Sequence, residues 1–482
     1  MSELDLRLPV AGPSAPQVAL ITASLLGAAA MAFVEPVLAP VLLLVPTAVV
    51  VLERTRADAV TFLTGLVLAF AFIPSGSVVG PLGAAGRPAA LIGLAGLWWW
   101  VHVLLSRSGD AARGFQPVRL VAMLLVGAVV ASMASAFTRP LTGAETSGIY
   151  RSALFLLGLI GALVVAADGI PSRERLDTLL RRLVAAATAV AGMGVLQFFT
   201  GVNLDAVFSF PGLTKQAALQ GIQNRSDFNR VAATTSHPIE FGVVMGMVFP
   251  LAVHYALLHR RWWHWASVGL IAAAVPMSVS RSGMLAFGLG AFVLWASWPR
   301  QLKVRSLGIA VAFALVMRLA VPGLLGTIRS LFTNFFFDDS IKGRTSDYGQ
   351  IGGLIRDHPF VGRGFGTFNP EVYFVLDNQY LGMLVETGIV GALLLIALFA
   401  TGIGTAAGSR VGGDDRTRSL GQALAASIAA GAIAAGTFDL LAFGMVSMLV
   451  FLVIGCAGAL WRLTDADRRR HRASQAAPLG AR

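Results

Sequence analysis

Apolar runs of roughly 16 to 25 residues recur from Val18 to Trp461, parted by polar turns, and each is long enough to cross a bilayer as an α-helix. Counting them predicts about 14 spans, or about 12 where short neighbouring runs are merged. The expected fold is therefore an all-α polytopic integral membrane protein. A polar segment over 1–17 precedes the membrane domain at 18–461, and a basic tail follows at 462–482. The first segment has no Lys/Arg-led apolar core and no small-residue cleavage site, so the first span is expected to serve as the insertion signal.

Most turns are short, but two connections are long: 201–236 and about 322–376. In the second, the Phe-rich stretch Leu331–Phe337 is too short to span and reads as an interfacial or re-entrant piece. Ser346–Asp357 then places Ile351, Leu354 and Ile355 on one helical face. Pro359 disfavours helix at the residue before it, so the spacing predicts a short external helix ending near His358.

Composition agrees with a membrane solvent. The 482 residues are 56 % hydrophobic and 13 % charged, with mean hydropathy +0.73. Lysine and arginine fall in every second turn: Arg54 and Arg56, Arg107 to Arg119, Arg173 to Arg182, Arg260 and Arg261, Arg300 to Arg305, Arg410 to Arg418. Positive loops resist translocation, which places both termini in the cytoplasm and the two long loops outside. The net charge of +12 is then largely topological, and the basic tail suits an anionic leaflet rather than a nucleic acid. Cys456 is the one cysteine, so a disulfide framework is excluded, and it reads as a small core hydrophobe.

Candidate chemistry gathers at the outer boundary. Asp377-Asn378-Gln379-Tyr380 puts a carboxylate at the mouth of the apolar helix Gln379 to about Ala400, in which Glu386 is the one ionisable residue. Nine positions at about 3.6 residues per turn place Glu386 nearly opposite Asp377, so the two form no dyad. Asp377 shares its side with Tyr380, Leu381 and Leu384, and Glu386 is expected to brace a neighbouring helix. Arg281, in Ser280-Arg281-Ser282-Gly283, is either a ligand contact or a snorkelling side chain. Arg344 stands at the start of the external helix, where free N–H groups favour an anion, or it pairs with Asp347. Arg225 and Arg230 precede His237-Pro238-Ile239-Glu240; Arg230 with Glu240 reads as an interfacial ion pair or as part of an anion site. His237 is an alternative base or a structural hydrogen-bonder. Guanidinium suits phosphate oxygens better than ammonium does, so an anionic ligand is the economical reading of these arginines.

Gly362-Arg363-Gly364-Phe365-Gly366 lacks dinucleotide-fingerprint spacing and no predicted strand precedes it, so it reads as a glycine turn. Zinc-hydrolase, P-loop and serine-hydrolase motifs do not occur in the sequence, and the seven histidines are scattered. What is left is a carboxylate among arginines, which suits a general base beside a phosphate leaving group. The site is expected to need neither metal nor cofactor.

These residues resemble the O-antigen ligase and polysaccharide polymerase superfamily of bacterial membrane glycosyltransferases. Its ligase pattern runs His, then Asn/Ser/Gln, nine residues, Gly, two residues, and Gly/Thr/Tyr. This chain has Asp377, Asn378, nine residues, Gly388, two residues and Gly391. The spacing is complete and the first residue differs. His237-Pro238, Ser280-Arg281, Gly343-Arg344 and His358-Pro359 with Gly362, Gly364 and Gly366 add to the match, which runs from about Arg230 to Gly391. The resemblance implies a GT-C-like fold whose membrane domain is catalytic, in the bacterial inner membrane, acting on its extracytoplasmic face. The donor it implies is a glycan on polyprenyl (undecaprenyl) diphosphate and the acceptor a glycan or lipid, with a chain-length regulator or flippase as expected partners. Asp377 would be the acceptor-activating base, and Arg281, Arg344 and Arg230 would hold the diphosphate. His237, Glu240, Asn378 and Tyr380 would support them. An ionised carboxylate can accept a hydroxyl proton, so aspartate in the histidine position is chemically tolerable. Chain polymerisation is the first expectation. Transfer of a finished glycan to a lipid, wall or protein acceptor is the second, and transport of lipid-linked sugars the third.

Overall fold

The computed structural model describes residues 58–106, 114–202, 210–215, 223–225, 228–333, 351–370, 373–411 and 413–476, with four isolated positions near the N-terminus. Over these residues the chain is an all-α membrane bundle. Its helices are α1 Ala59–Phe72, α2 Pro88–Ser106, α3 Pro117–Ala136, α4 Gly143–Gly169, α5 Arg173–Thr200, α6 Pro238–His259, α7 Trp262–Met277, α8 Arg281–Ala296, α9 Arg300–Ala320, α10 Leu324–Thr333, α11 Gln379–Gly408, α12 Asp415–Ala435 and α13 Gly444–Ala476. Among the described residues, seven helices are long and apolar enough to cross a membrane. They become eight if the bent pair α9 and α10, at 111° to each other, counts as one span. The apolar runs of α1 and α8 form helices of only 14 and 16 residues.

The innermost helices are α13, α6 and α4, with 94 %, 83 % and 67 % of their apolar windows buried. Without a hydrophobic drive in lipid, such helices gain from close contact through small residues. Between α2 and α4, a Cβ on Gly93 would run into the backbone of Gly158, and one on Gly161 into that of Gly93. Gly242 and Gly283 let α6 and α8 cross in the same way. By contrast, α9 buries only Met317 and turns its apolar faces outward, as a lipid-facing helix does.

Polar contacts sort into two ends. At the basic end, Arg119 of α3 pairs with Asp168 of α4 at 2.8 Å. There too Arg175 of α5 pairs with Asp58 ahead of α1, and Arg173 with Asp414 ahead of α12 at 3.1 Å. Opposite them lie the mouths of α2, α4, α6, α8, α11 and α13, which begin at Pro88, Gly143, Pro238, Arg281, Gln379 and Gly444.

The long connections behave as far as they are described. The external helix is present through Asp357 and stops at His358, ahead of Pro359. Residues 331–333 of the expected interfacial piece close α10, and the rest of it, with Arg344, lies outside the described residues. The 201–236 connection contains strands β2 Thr214–Lys215, β3 Gln223–Arg225 and β4 Phe228–Arg230. β2 pairs antiparallel with β1, Ser77–Val78, and β3 pairs with β4.

Candidate functional site at the helix mouths

The site is built around a broken helix. Asn378 caps α11, its Oδ1 accepting from the N–H groups of Tyr380 at 3.0 Å and Leu381 at 3.2 Å. Ten residues later Gly388 takes φ 65 and ψ −168, a conformation that interrupts the helix and that only glycine adopts freely. The glycine turn fills the interruption. Arg363 N–H donates to Val385 O at 3.0 Å, Gly364 N–H to Glu386 O at 2.9 Å, and Ile389 N–H to Pro359 O at 2.9 Å. A Cβ on Gly362 would strike the α11 backbone, and one on Gly366 that of Gly148 in α4. The turn is thus a wedge between helices, as its spacing suggested, and the Asn–nine–Gly spacing marks a capped helix with a designed break. Gly388→Ala is expected to cut folded protein in the membrane at least severalfold, because its Cβ would meet the Phe360 backbone as well as an unfavourable φ. Immunoblotting against a surface glycine control such as Gly308→Ala measures this.

Glu386 does not brace a neighbouring helix through its carboxylate. Its Oε1 accepts from Phe368 N–H at 3.0 Å and so holds the loop beyond the wedge. Only its backbone O meets another helix, accepting from Ser132 Oγ of α3 at 2.6 Å.

Asp377, half-buried, sits one residue before the cap. Facing it is a carboxylate that the sequence reading did not single out: Asp439, in the turn between α12 and α13. Two contacts hold this turn and the end of α12 against the start of α11. Leu441 N–H donates to Gln379 Oε1 at 2.7 Å, and Tyr380 Oη donates to Ala432 O at 2.7 Å. Desolvation, and then the charge of Asp377, push the Asp439 carboxyl up to about 6. Arg87, also unforeseen, braces the turn from the mouth of α2. Its Nη2 donates to Ala442 O at 2.6 Å, and its guanidinium lies 5.0 Å over the Phe155 ring. Burial pulls its proton affinity down, against the opposing charges of Glu240 and Asp439. Arg87 and Asp439 both stand at the mouth of an apolar run, the signal that singled out Asp377.

Three other candidates stand at or beside the mouths of α6 and α8. Arg230 Nε donates to Ser278 O at 3.4 Å, three residues before Arg281. Arg281 opens α8, whose cap is Ser280, its Oγ accepting from Gly283 N–H at 3.3 Å. Between them Val279, fully buried, holds φ 45, a strained state for a β-branched residue that sets the direction in which α8 begins. His237 caps α6, its Nδ1 accepting from Ile239 N–H at 3.1 Å. Burial and the nearby charge of Arg230 hold it at about 4, so the ring is neutral near pH 7.

Glu240 has a structural place. It is wholly buried. Its carboxylate accepts from Ser75 Oγ and Ser236 N–H at 2.8 Å, Ser236 Oγ at 2.9 Å, Met445 N–H at 2.7 Å and Val446 N–H at 3.2 Å. It thereby joins the starts of α6 and α13, and satisfies N–H groups that the α13 helix leaves free.

The fold and these residues define a polytopic membrane protein with carboxylates and arginines at the helix mouths opposite its basic turns. Residues 266–396 match the O-Antigen ligase family model, so this stretch carries the signature of the O-antigen ligase and polysaccharide polymerase superfamily. The match runs from α7 into α11 and includes Arg281, Asp377 and Gly388, while Arg87, Arg230 and Asp439 lie outside it. No curated protein matches the chain. The match supports glycan transfer of the ligase or polymerase type by a multi-pass inner-membrane protein.

Proposed function

We propose that the protein polymerises oligosaccharide repeats carried on polyprenyl diphosphate, at the extracytoplasmic face. The features that support this reading are Asp377 beside Asp439 at the mouth of α11 and Arg230 held to the turn that leads into Arg281 at the mouth of α8, both at the bundle end opposite the basic turns, which the positive-inside rule makes extracytoplasmic. An acceptor sugar hydroxyl gives its proton to Asp377 and attacks the anomeric carbon. The bond from that carbon to the phosphate oxygen breaks with inversion, and polyprenyl diphosphate leaves with the electron pair. Arg281 and Arg230, with Arg344 from the sequence, neutralise the charge gathering on the leaving diphosphate, so the reaction calls on no metal.

Asp439 assists the base. Once ionised, it sets a second negative charge near the sugar hydroxyl, which favours departure of that hydroxyl's proton. Transfer is therefore expected to rise with pH through about 6, the value to which Asp439 is pushed. Asp439→Asn should remove that rise and lower the plateau about tenfold. The same profile in wild type and Asp439→Asn would contradict this role.

The reading is tested by polysaccharide size in a deletion strain. Single repeats with no ladder support a polymerase. Full-length chains left on the polyprenyl carrier support transfer of a finished glycan instead.

A further inference from the structure

The loop that delivers Asp377 is held by apolar and polar contacts. Leu376 is buried with Ile351 and Val385, and Phe374 packs on Phe368 with ring centroids 5.4 Å apart. Val375, between them, is 61 % exposed. Beside the bond from Phe368 N–H to Glu386, a polar anchor is Arg363 of the glycine wedge. Its guanidinium lies 4.9 Å over the ring of Tyr373, and Tyr373 stacks on Phe368 at 4.9 Å with the planes 11° apart. From there Arg363 Nη2 reaches Glu145 Oε1 at 3.3 Å. Glu145 is itself fixed. Its Oε2 accepts from Thr142 N–H at 3.0 Å in the capping box of α4, and its Oε1 also takes Arg139 Nη2 at 2.7 Å.

We propose that Arg363 is a positioning residue, latching the Asp377 loop to the mouth of α4 through Glu145 on one side and Tyr373 on the other. The arginine is fastened at its backbone to the broken helix, through Val385 O, and at its head to α4. The ring it covers is four residues before Asp377. Fixing Tyr373 therefore limits how far the carboxylate can stray from the start of α11 and from Asp439. Misplacing a base by about 1 Å can cost about a hundredfold in rate, whereas donor affinity, which we assign to Arg230 and Arg281, is left alone. Lysine can keep the cation over the ring but lacks the planar fork that also meets Glu145.

The latch rests on the reading of Asp377 as base, so its first test is independent of activity. In a Cys456→Ala background, Val375→Cys is labelled with a maleimide in folded protein in nanodiscs. Arg363→Met should speed labelling at least fivefold, Tyr373→Ala should do the same, and the double variant should add little to either. In transfer assays Arg363→Met should lower kcat at least tenfold with KM within twofold, and Arg363→Lys should restore part of it. Unchanged labelling in both single variants, or a double variant equal to the product of the singles, would overturn the latch. If Arg363→Met fails to accumulate, Tyr373→Ala carries the same test. If labelling responds but Asp377→Asn keeps full activity, the latch stands and the base assignment is what fails.

Discussion

Asp377→Asn lowers glycan transfer about 10²- to 10⁴-fold, the range that removal of a general base produces. Asparagine has nearly the same shape, and the cap of α11 belongs to Asn378, whose Oδ1 holds Tyr380 and Leu381. The helix start therefore survives the change, and membrane abundance stays at the wild-type level. Donor binding is also kept, because the arginines assigned to the diphosphate lie on other elements. Asp377→His, which restores the residue type of the ligase pattern, recovers part of the lost rate, since neutral imidazole also accepts a proton. Full activity at normal abundance in Asp377→Asn would remove the carboxylate from the mechanism.

The second large effect is at Arg281. Its replacement by methionine lowers kcat about 10²- to 10³-fold, the loss seen when one donor to a developing oxyanion is removed. Arg281 begins a helix behind the buried, strained turn at Val279, so its backbone is placed in advance of the reaction. Lysine in its place gives little recovery, because a point charge lacks the two parallel N–H groups that match a phosphate. Arg230→Met has a smaller effect, since Arg230 also holds the Ser278 carbonyl and part of its role is to steady the turn. Single-turnover rates on a lipid-linked oligosaccharide measure both. A KM raised by a similar factor with kcat unchanged would make Arg281 a ground-state anchor rather than a leaving-group donor.

Much of this was legible in the chain because it is local. The Asp377–Asn378–nine–Gly388 spacing contains both a cap and a helix break, and Pro359 announces the end of the external helix. Helix mouths also read well from charge at the edge of an apolar run. That logic singled out Asp377, Arg281 and His237, and applied evenly it also reaches Arg87 and Asp439. What a single sequence hides is which mouths meet. Asp377 and Asp439 are brought together by Gln379 reaching into the connection after α12 and Tyr380 reaching the end of α12, and Arg87 reaches the same turn from the other half of the chain. Glu240 illustrates the same limit. Ten residues after Arg230 in sequence, it reads as one half of an ion pair, yet its five donors come from three separated segments. Strands of two or three residues leave no period to detect. Helix lengths also diverge from apolar run lengths, because turns such as Ser278–Ser280 cut the runs into shorter helices.

The central claim is that this cluster transfers a glycan from a polyprenyl diphosphate. The direct measurement is an assay of purified protein in nanodiscs with a polyprenyl-diphosphate oligosaccharide and a metal chelator, following glycan length and released polyprenyl diphosphate together. Polymerisation predicts a ladder with one diphosphate released per repeat added, lost in Asp377→Asn and Arg281→Met. No released diphosphate, with the same protein in vesicles moving the lipid-linked sugar from one leaflet to the other, would contradict the account and identify a transporter.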